Sequence, residues 1–223
     1  MKVLTISDVE VNLLYNPRIR ERFTGVDVIL SCGDLPYYYL EFILSMLDVP
    51  LFYVNGNHHN QMEDGAEGSH RYPWGGYNLN RRVKRDGELL LAGIEGSILY
   101  NKGPCQYSQE SMWWAVLSLV PGLLLNRLRF GRSLDVLISH APPRGIQDAA
   151  DQAHQGVNAF RWLLKVFRPQ YHFHGHTHVY RTDLPLETLY CRTRVVNTYG
   201  YRVTEIFPGR LRPAESGVLQ RGW

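Results

Sequence analysis

The chain has 223 residues, 44% of them hydrophobic and 20% charged, which excludes a disordered segment and allows a sizeable buried core. A formal charge of +3 is too small to mark a polyanion-binding protein by composition. Arginine outnumbers lysine 20 to 4, which suits bidentate contacts to phosphate oxygens and equally fits plain compositional bias.

Short apolar runs alternate with longer amphipathic segments, the pattern of an α/β fold. Residues 3–6, 26–30, 51–54, 89–94, 136–138 and 171–173 are the predicted core strands. Between them, residues 36–47 place Tyr39, Leu40, Ile43, Leu44 and Leu47 at helical spacing, with a proline in the first turn. Residues 61–79 are polar, glycine-rich and aromatic, and read as a long loop able to cover a site, with Tyr72, Trp74 and Tyr77 available to stack on a base. The basic cluster Arg81, Arg82, Lys84 and Arg85 reads as a solvated face and gives no strong nucleic-acid signal. The apolar stretch 112–125, which begins Met112-Trp113-Trp114, is interrupted by Pro121-Gly122. It falls short of the ~20 residues that span a bilayer, so it reads as core or as a contact between copies of the chain. Val157, Phe160, Leu164 and Phe167 mark a second helix, stopped by Pro169. Residues 188–207, rich in Val, Thr and Tyr, suggest a hairpin around Tyr199-Gly200. No repeat or linker divides the chain, so one domain over residues 1–223 is expected. Cys32, Cys105 and Cys191 lack CxxC spacing and read as free thiols of a reducing compartment. The chain also opens directly into a strand, and together these features predict a cytoplasmic protein.

Five polar clusters stand just past these apolar runs: Asp8-Val9-Glu10, Gly33-Asp34, Gly56-Asn57-His58, Ser139-His140 and Gly175-His176-Thr177-His178. Carboxylate, amide and imidazole groups at the ends of successive strands gather along one sheet edge, which predicts a metal site. In an extended segment, positions i and i+2 point the same way, which would pair Asp8 with Glu10 and His176 with His178. Oxygen and nitrogen ligands without thiolate suit Mn, Fe, Zn, Mg or Co and not an iron–sulfur cluster.

In this order the clusters resemble the calcineurin-like metallophosphoesterases, whose pattern is D-x-H, GD, GNH followed by an acid, H, and GHxH. The resemblance runs from Asp8 to His178 and continues over the last strands. It implies a two-sheet β-sandwich flanked by helices, a four-layer αββα fold. It also implies a hydrolase that cleaves phosphodiester or phosphomonoester bonds of small, possibly nucleotide-like substrates by attack of a metal-bridging hydroxide. The ligands it implies are Asp8, the D-x-H histidine position and His178 for one ion, and Asn57, His140 and His176 for the second, with Asp34 bridging. His58 would be the catalytic residue that assists the leaving oxygen.

Two positions depart from the pattern: Glu10 replaces the histidine and His59 replaces the acid after GNH. With Glu10 as a ligand, three carboxylates against two divalent ions leave a net +1 where a histidine would leave +2. That favours harder ions, manganese first. Arg144 and His154, close after the His140 loop, are the candidate substrate-binding residues. The competing reading is a catalytically weak scaffold of the same fold, with Glu10 as its first lost ligand.

Overall fold

In the computed structural model, residues 1–58, 62–65, 68–178 and 185–209 are described. Two sheets face each other because their strands alternate large apolar side chains on both faces, a pattern that needs cover on each side. The first is assembled from β1 (Lys2–Ser7), β2 (Val28–Ser31), β3 (Leu51–Tyr53), β6 (Gly76–Asn78) and β15 (Gly200–Glu205), in the order β15-β1-β2-β3-β6. The second takes β7 (Arg82–Asp86), β8 (Leu89–Ile94), β11 (Val136–Ser139), β12 (Tyr171–His174), β13 (Glu187–Tyr190) and β14 (Thr193–Asn197), in the order β13-β14-β12-β11-β8-β7. Two small pairings, β4 (Glu63–Gly65) with β5 (Gly68–His70) and β9 (Ser97–Ile98) with β10 (Gln106–Tyr107), lie outside the sandwich. All neighbours among β1, β2, β3 and β6, and among β8, β11, β12 and β14, are parallel.

The hydrophobic side chains divide into three layers of core. Val3, Val28, Leu30, Leu91, Ile138 and Phe173 meet between the sheets. On the far face of the first sheet, Leu4, Ile6 and Ile29 pack under α1 (Ile19–Arg22) and α2 (Tyr37–Leu47). On the far face of the second, Ala92, Ile94 and Leu137 pack under α3 (Gln109–Phe130) and α4 (Asn158–Phe167). The result is the expected four-layer αββα sandwich.

Three local expectations are corrected. Residues 61–79 do not form one long loop: the described part holds β4, β5 and β6, strands of three residues each and too short to show a period of two. Of its aromatic residues, Trp74 stacks on His70 and Tyr77 packs edge-on against Phe52 beneath Lys84, while Tyr72 is exposed. The hairpin turns at Cys191-Arg192, between β13 and β14. Tyr199-Gly200 is instead a crossing point where the chain leaves the second sheet and joins the first beside β1. Finally, α3 continues through Pro121-Gly122: Pro121 lies on the solvent side, and the missing side chain of Gly122 lets the helix approach Val83 of β7.

Phe160 of α4 is fully buried in the outer core and its ring meets that of His172. Phe160→Ala is expected to lower unfolding free energy by about 3–5 kcal/mol, measured by urea denaturation. A loss below about 1 kcal/mol would contradict this packing.

Candidate metal centre

The parallel strands of both sheets end on the same side, and the two carboxyl edges converge there. Short cross-links hold them together: Ser7 Oγ meets Thr198 Oγ1 at 3.0 Å and Gly96 N donates to Asn55 O at 2.9 Å. Asp8 follows β1, Asp34 follows β2, Asn57 follows β3, His140 follows β11 and His176 follows β12. This is where open α/β sheets place ligand sites.

Asp8, Asp34 and His140 each offer one ligand atom, and the three atoms lie within 4.8 Å of one another. His140 is fully buried, with Nδ1 2.8 Å from Cys32 O and Nε2 3.1 Å from Asp34 Oδ2 and 2.8 Å from Asn57 Oδ1. Backbone amides hold the carboxylates from outside: His176 N donates to Asp8 Oδ1 and His58 N to Asp34 Oδ1, both at 2.9 Å. Asp8 Oδ2 is buried and has no hydrogen-bond partner among the described residues. The nearby Ser7 hydroxyl is engaged with Thr198. Asp8, Asp34 and His176 all have left-handed backbones, at φ 65°, 55° and 66°, a strain of about 1–3 kcal/mol each that turns the side chains into the cleft. A Cβ at Gly56 would overlap Asp34 Oδ1, and one at Gly175 would overlap Asp8 Oδ2.

Burial pushes the Asp8 carboxyl above its usual range. Burial also acts upward on Asp34, yet the His140 charge and the His58 amide hold it down at about 2. His140 would be lowered by burial, but the Asp34 and Asp8 carboxylates raise it to about 9. In the metal-free state one imidazolium therefore partly neutralises two packed carboxylates. Two acids, a neutral amide oxygen and an imidazole, with a buried oxygen left unpartnered, form a donor set that could hold a hard or borderline divalent cation.

The other predicted residues are distributed around this nest. His176 is a neutral imidazole, driven to about 3 by burial and the His140 charge. Its Nε2 donates to Ala153 O at 2.7 Å, which leaves Nδ1 as the lone-pair nitrogen, and its ring centroid is 4.8 Å from that of His140. His178 packs on Tyr199, with ring centroids 5.1 Å apart. His154 reaches the same place, 5.2 Å from the His176 ring, with Nδ1 2.9 Å from Asp151 Oδ1. Arg144 pairs with Asp148 at 3.3 Å in the loop behind. His58 is exposed at the rim. Glu10 stands apart: it is exposed and its Oε2 accepts from Tyr38 O–H at 2.6 Å, which raises the Tyr38 hydroxyl to about 12. The extended segment assumed for Asp8 and Glu10 is absent, because Asp8 is left-handed and Val9 N turns back to Ser7 O. His59 lies outside the described residues.

One residue escaped the sequence reading. The Tyr100 hydroxyl oxygen accepts from Asn57 Nδ2 at 2.9 Å and lies 3.4 Å from His58 Nε2, so it links the amide to the rim histidine. Tyr100 carries no motif, and only the loop after β9 brings it here. His172 and His174 belong instead to the support. Ser139 Oγ is 2.7 Å from His172 Nε2, and His174 Nε2 donates to Gln147 Oε1 at 2.7 Å.

Two carboxylates and an imidazole that could hold a metal ion thus meet at the carboxyl edge of an αββα sandwich. The chain belongs to the calcineurin-like phosphoesterase family, whose model matches residues 1–180. Among solved structures it is similar to TT1561 of Thermus thermophilus, at 14% identity and a TM-score of 0.62, over 95% of this chain and 99% of that one. It is also similar to a phosphopantetheinyl hydrolase from Mycobacterium tuberculosis, at 14% identity and a TM-score of 0.50, over 89% of this chain and 88% of that one. At these identities the likeness is one of fold. No curated protein matches the chain.

Three histidines here are buried and neutral: burial drives His172 well below its usual range, His174 to about 4 and His176 to about 3. In the unfolded chain each takes up a proton below about pH 6.5, so these groups lose stability as pH falls below that value. Asp8 acts in the opposite sense, but it is one group against three, while Asp34 keeps its contribution until the pH is below its unfolded value. For chelator-treated protein, the urea midpoint is therefore expected to fall steadily from about pH 6.5 to about pH 4.5. A flat profile over that range would contradict the buried neutral state.

Proposed function

We propose that this protein is a divalent-metal-dependent phosphoesterase acting on small phosphodiesters or phosphomonoesters. The observation that carries the reading is the buried, unpartnered Oδ2 of Asp8 beside Asp34 and His140. A buried anionic oxygen without a partner is costly, and a cation is the group that this donor set accommodates. Asn57, His140 and His176 would hold one ion, Asp8, Glu10 and His178 the other, with Asp34 between them. Glu10 would use the Oε1 that Tyr38 leaves open. When bound, divalent ions polarise phosphoryl oxygens and make a water more acidic.

The chain's own residues supply the remaining steps. His58, fixed through its backbone N–H on Asp34, would give a leaving oxygen its proton. Tyr100 would hold the His58 ring toward the cleft. His154, oriented by Asp151, would donate to a non-bridging phosphate oxygen, and Arg144 would add charge from behind. The free thiols fit a reducing compartment, so we assign the protein to the cytoplasm. Among the described residues, no helix is long and apolar enough to cross a membrane.

The first test is metal content after dialysis against Mn²⁺. Two ions per chain are expected for the native protein and one for Glu10→Ala. Two ions in the variant would remove Glu10 from the ligand set, and none in the native protein would favour a scaffold. Manganese is expected to support hydrolysis of bis-p-nitrophenyl phosphate or p-nitrophenyl phosphate; full activity with Zn²⁺ and none with Mn²⁺ would reverse that assignment. His58→Ala is expected to cut turnover of an alkyl ester by ~10²–10⁴-fold and of a nitrophenyl ester by much less, since a good leaving group needs little acid help. Equal losses on both would exclude proton donation.

A further inference from the structure

The outer helix α3 has two apolar faces, and only one of them is used. Met112, Val116, Leu119 and Leu123 are buried against the second sheet and α4. On the opposite side, Trp114, Leu117, Pro121, Leu124, Leu125 and Leu128 recur at intervals of three and four residues, so they form a continuous stripe. They are exposed, from 39% for Leu117 to 85% for Leu128, with Trp114 at 69%. An ordinary monomer surface carries such residues singly, not as a row along a whole helix. The spacing is that of a helix seam that packs on another helix.

The charges around the stripe indicate what covers it. Glu110 lies on the stripe itself, one turn before Trp114, at the N-terminal end of α3. Arg127 and Arg129 flank Leu128 on either side at the C-terminal end, and no carboxylate among the described residues pairs with them. From Glu110 to Leu128 is 18 residue steps, so the stripe is about 27 Å long. A copy of the helix laid antiparallel over it, about a two-fold axis level with residue 119, sets Trp114 against Leu124 and Leu117 against Pro121 along the middle. The same placement seats each Glu110 between the other copy's two arginines and opposes the helix dipoles favourably. An anionic lipid surface would attract the two arginines but leave Glu110 unmatched, whereas a second copy matches both ends.

We propose that the α3 stripe is a homodimer interface, formed by antiparallel packing of α3 from two copies of this chain. The stripe lies on the outer helical layer, so the dimer does not depend on the metal chemistry and leaves the cleft open.

Sedimentation velocity over a concentration series tests the proposal with the full chain. The native protein is expected to approach twice the 25.8 kDa chain mass. Leu124→Glu/Leu128→Glu should stay monomeric while keeping the native circular dichroism and metal content. Glu110→Arg alone, and Arg127→Glu/Arg129→Glu alone, should each weaken self-association about tenfold or more. Mixing the two charge variants should restore it, because each supplies the charge the other lacks, and a variant that merely misfolds cannot be rescued in this way. A native protein that is monomeric at every concentration would overturn the proposal, as would charge variants that dimerise normally. So would a monomer that binds phosphatidylglycerol vesicles through the stripe.

Discussion

Two parallel sheet edges that end at one place force the carboxylates of Asp8 and Asp34 together in a largely enclosed space. The rest of the site follows from that crowding. Gly33, Gly56 and Gly175 must be glycine, because the backbone of one loop lies against the side chain of the next. Asp8, Asp34 and His176 accept left-handed backbones to aim inward. The buried His140 carries a proton where burial alone would strip it, because the two carboxylates demand a cation. The proton on His140 thus meets part of the charge of the two carboxylates.

Behind this nest lies a neutral support. His172 rests on Ser139, whose hydroxyl donates to Ala141 O, and so fixes the turn that carries His140. His174 is held by Gln147, which also reaches Thr188 and the carbonyl of Val195. The imidazoles before the GHxH motif therefore brace the ends of β11, β12 and β14 without facing the cleft. Burial also raises the thiol of Cys32, so the cysteine nearest the site stays protonated and serves only through its backbone carbonyl to His140.

Most of this was legible in the sequence where chemistry and period coincide. The strands that bear Asp8, Asp34, Asn57, His140 and His176 are apolar runs that stop at a glycine or a polar residue, so their ends could be read directly. What failed were inferences that needed the backbone. Asp8 and Glu10 diverge because a left-handed residue breaks the period of two. Tyr199-Gly200 looks like a turn, yet the long-range pairing of β15 with β1 makes it a crossing between sheets. Strands of three residues, as in β4, β5 and β6, carry too few alternations to outweigh their glycines. Tyr100 was invisible because a hydroxyl reached through an irregular loop has no sequence signature. For residues 112–125 the core reading holds for one face of α3, while the other face is bare.

The placement of β1 has a bearing on how the protein is made. Asp8 ends a strand whose one flank is filled by β2, close by in sequence, and whose other flank is filled by β15, with Lys2 opposite Glu205 and Ser7 opposite Gly200. The amino group of Met1 and the carbonyl of Ile206 close the same seam at 2.8 Å. During synthesis the strand that carries Asp8 must therefore wait, half paired, until β15 has left the ribosome. Such non-local pairing is slow and leaves an open strand edge in the meantime. The centre is thus completed last, and a nascent or truncated chain that stops short of β15 cannot close the sheet that holds Asp8.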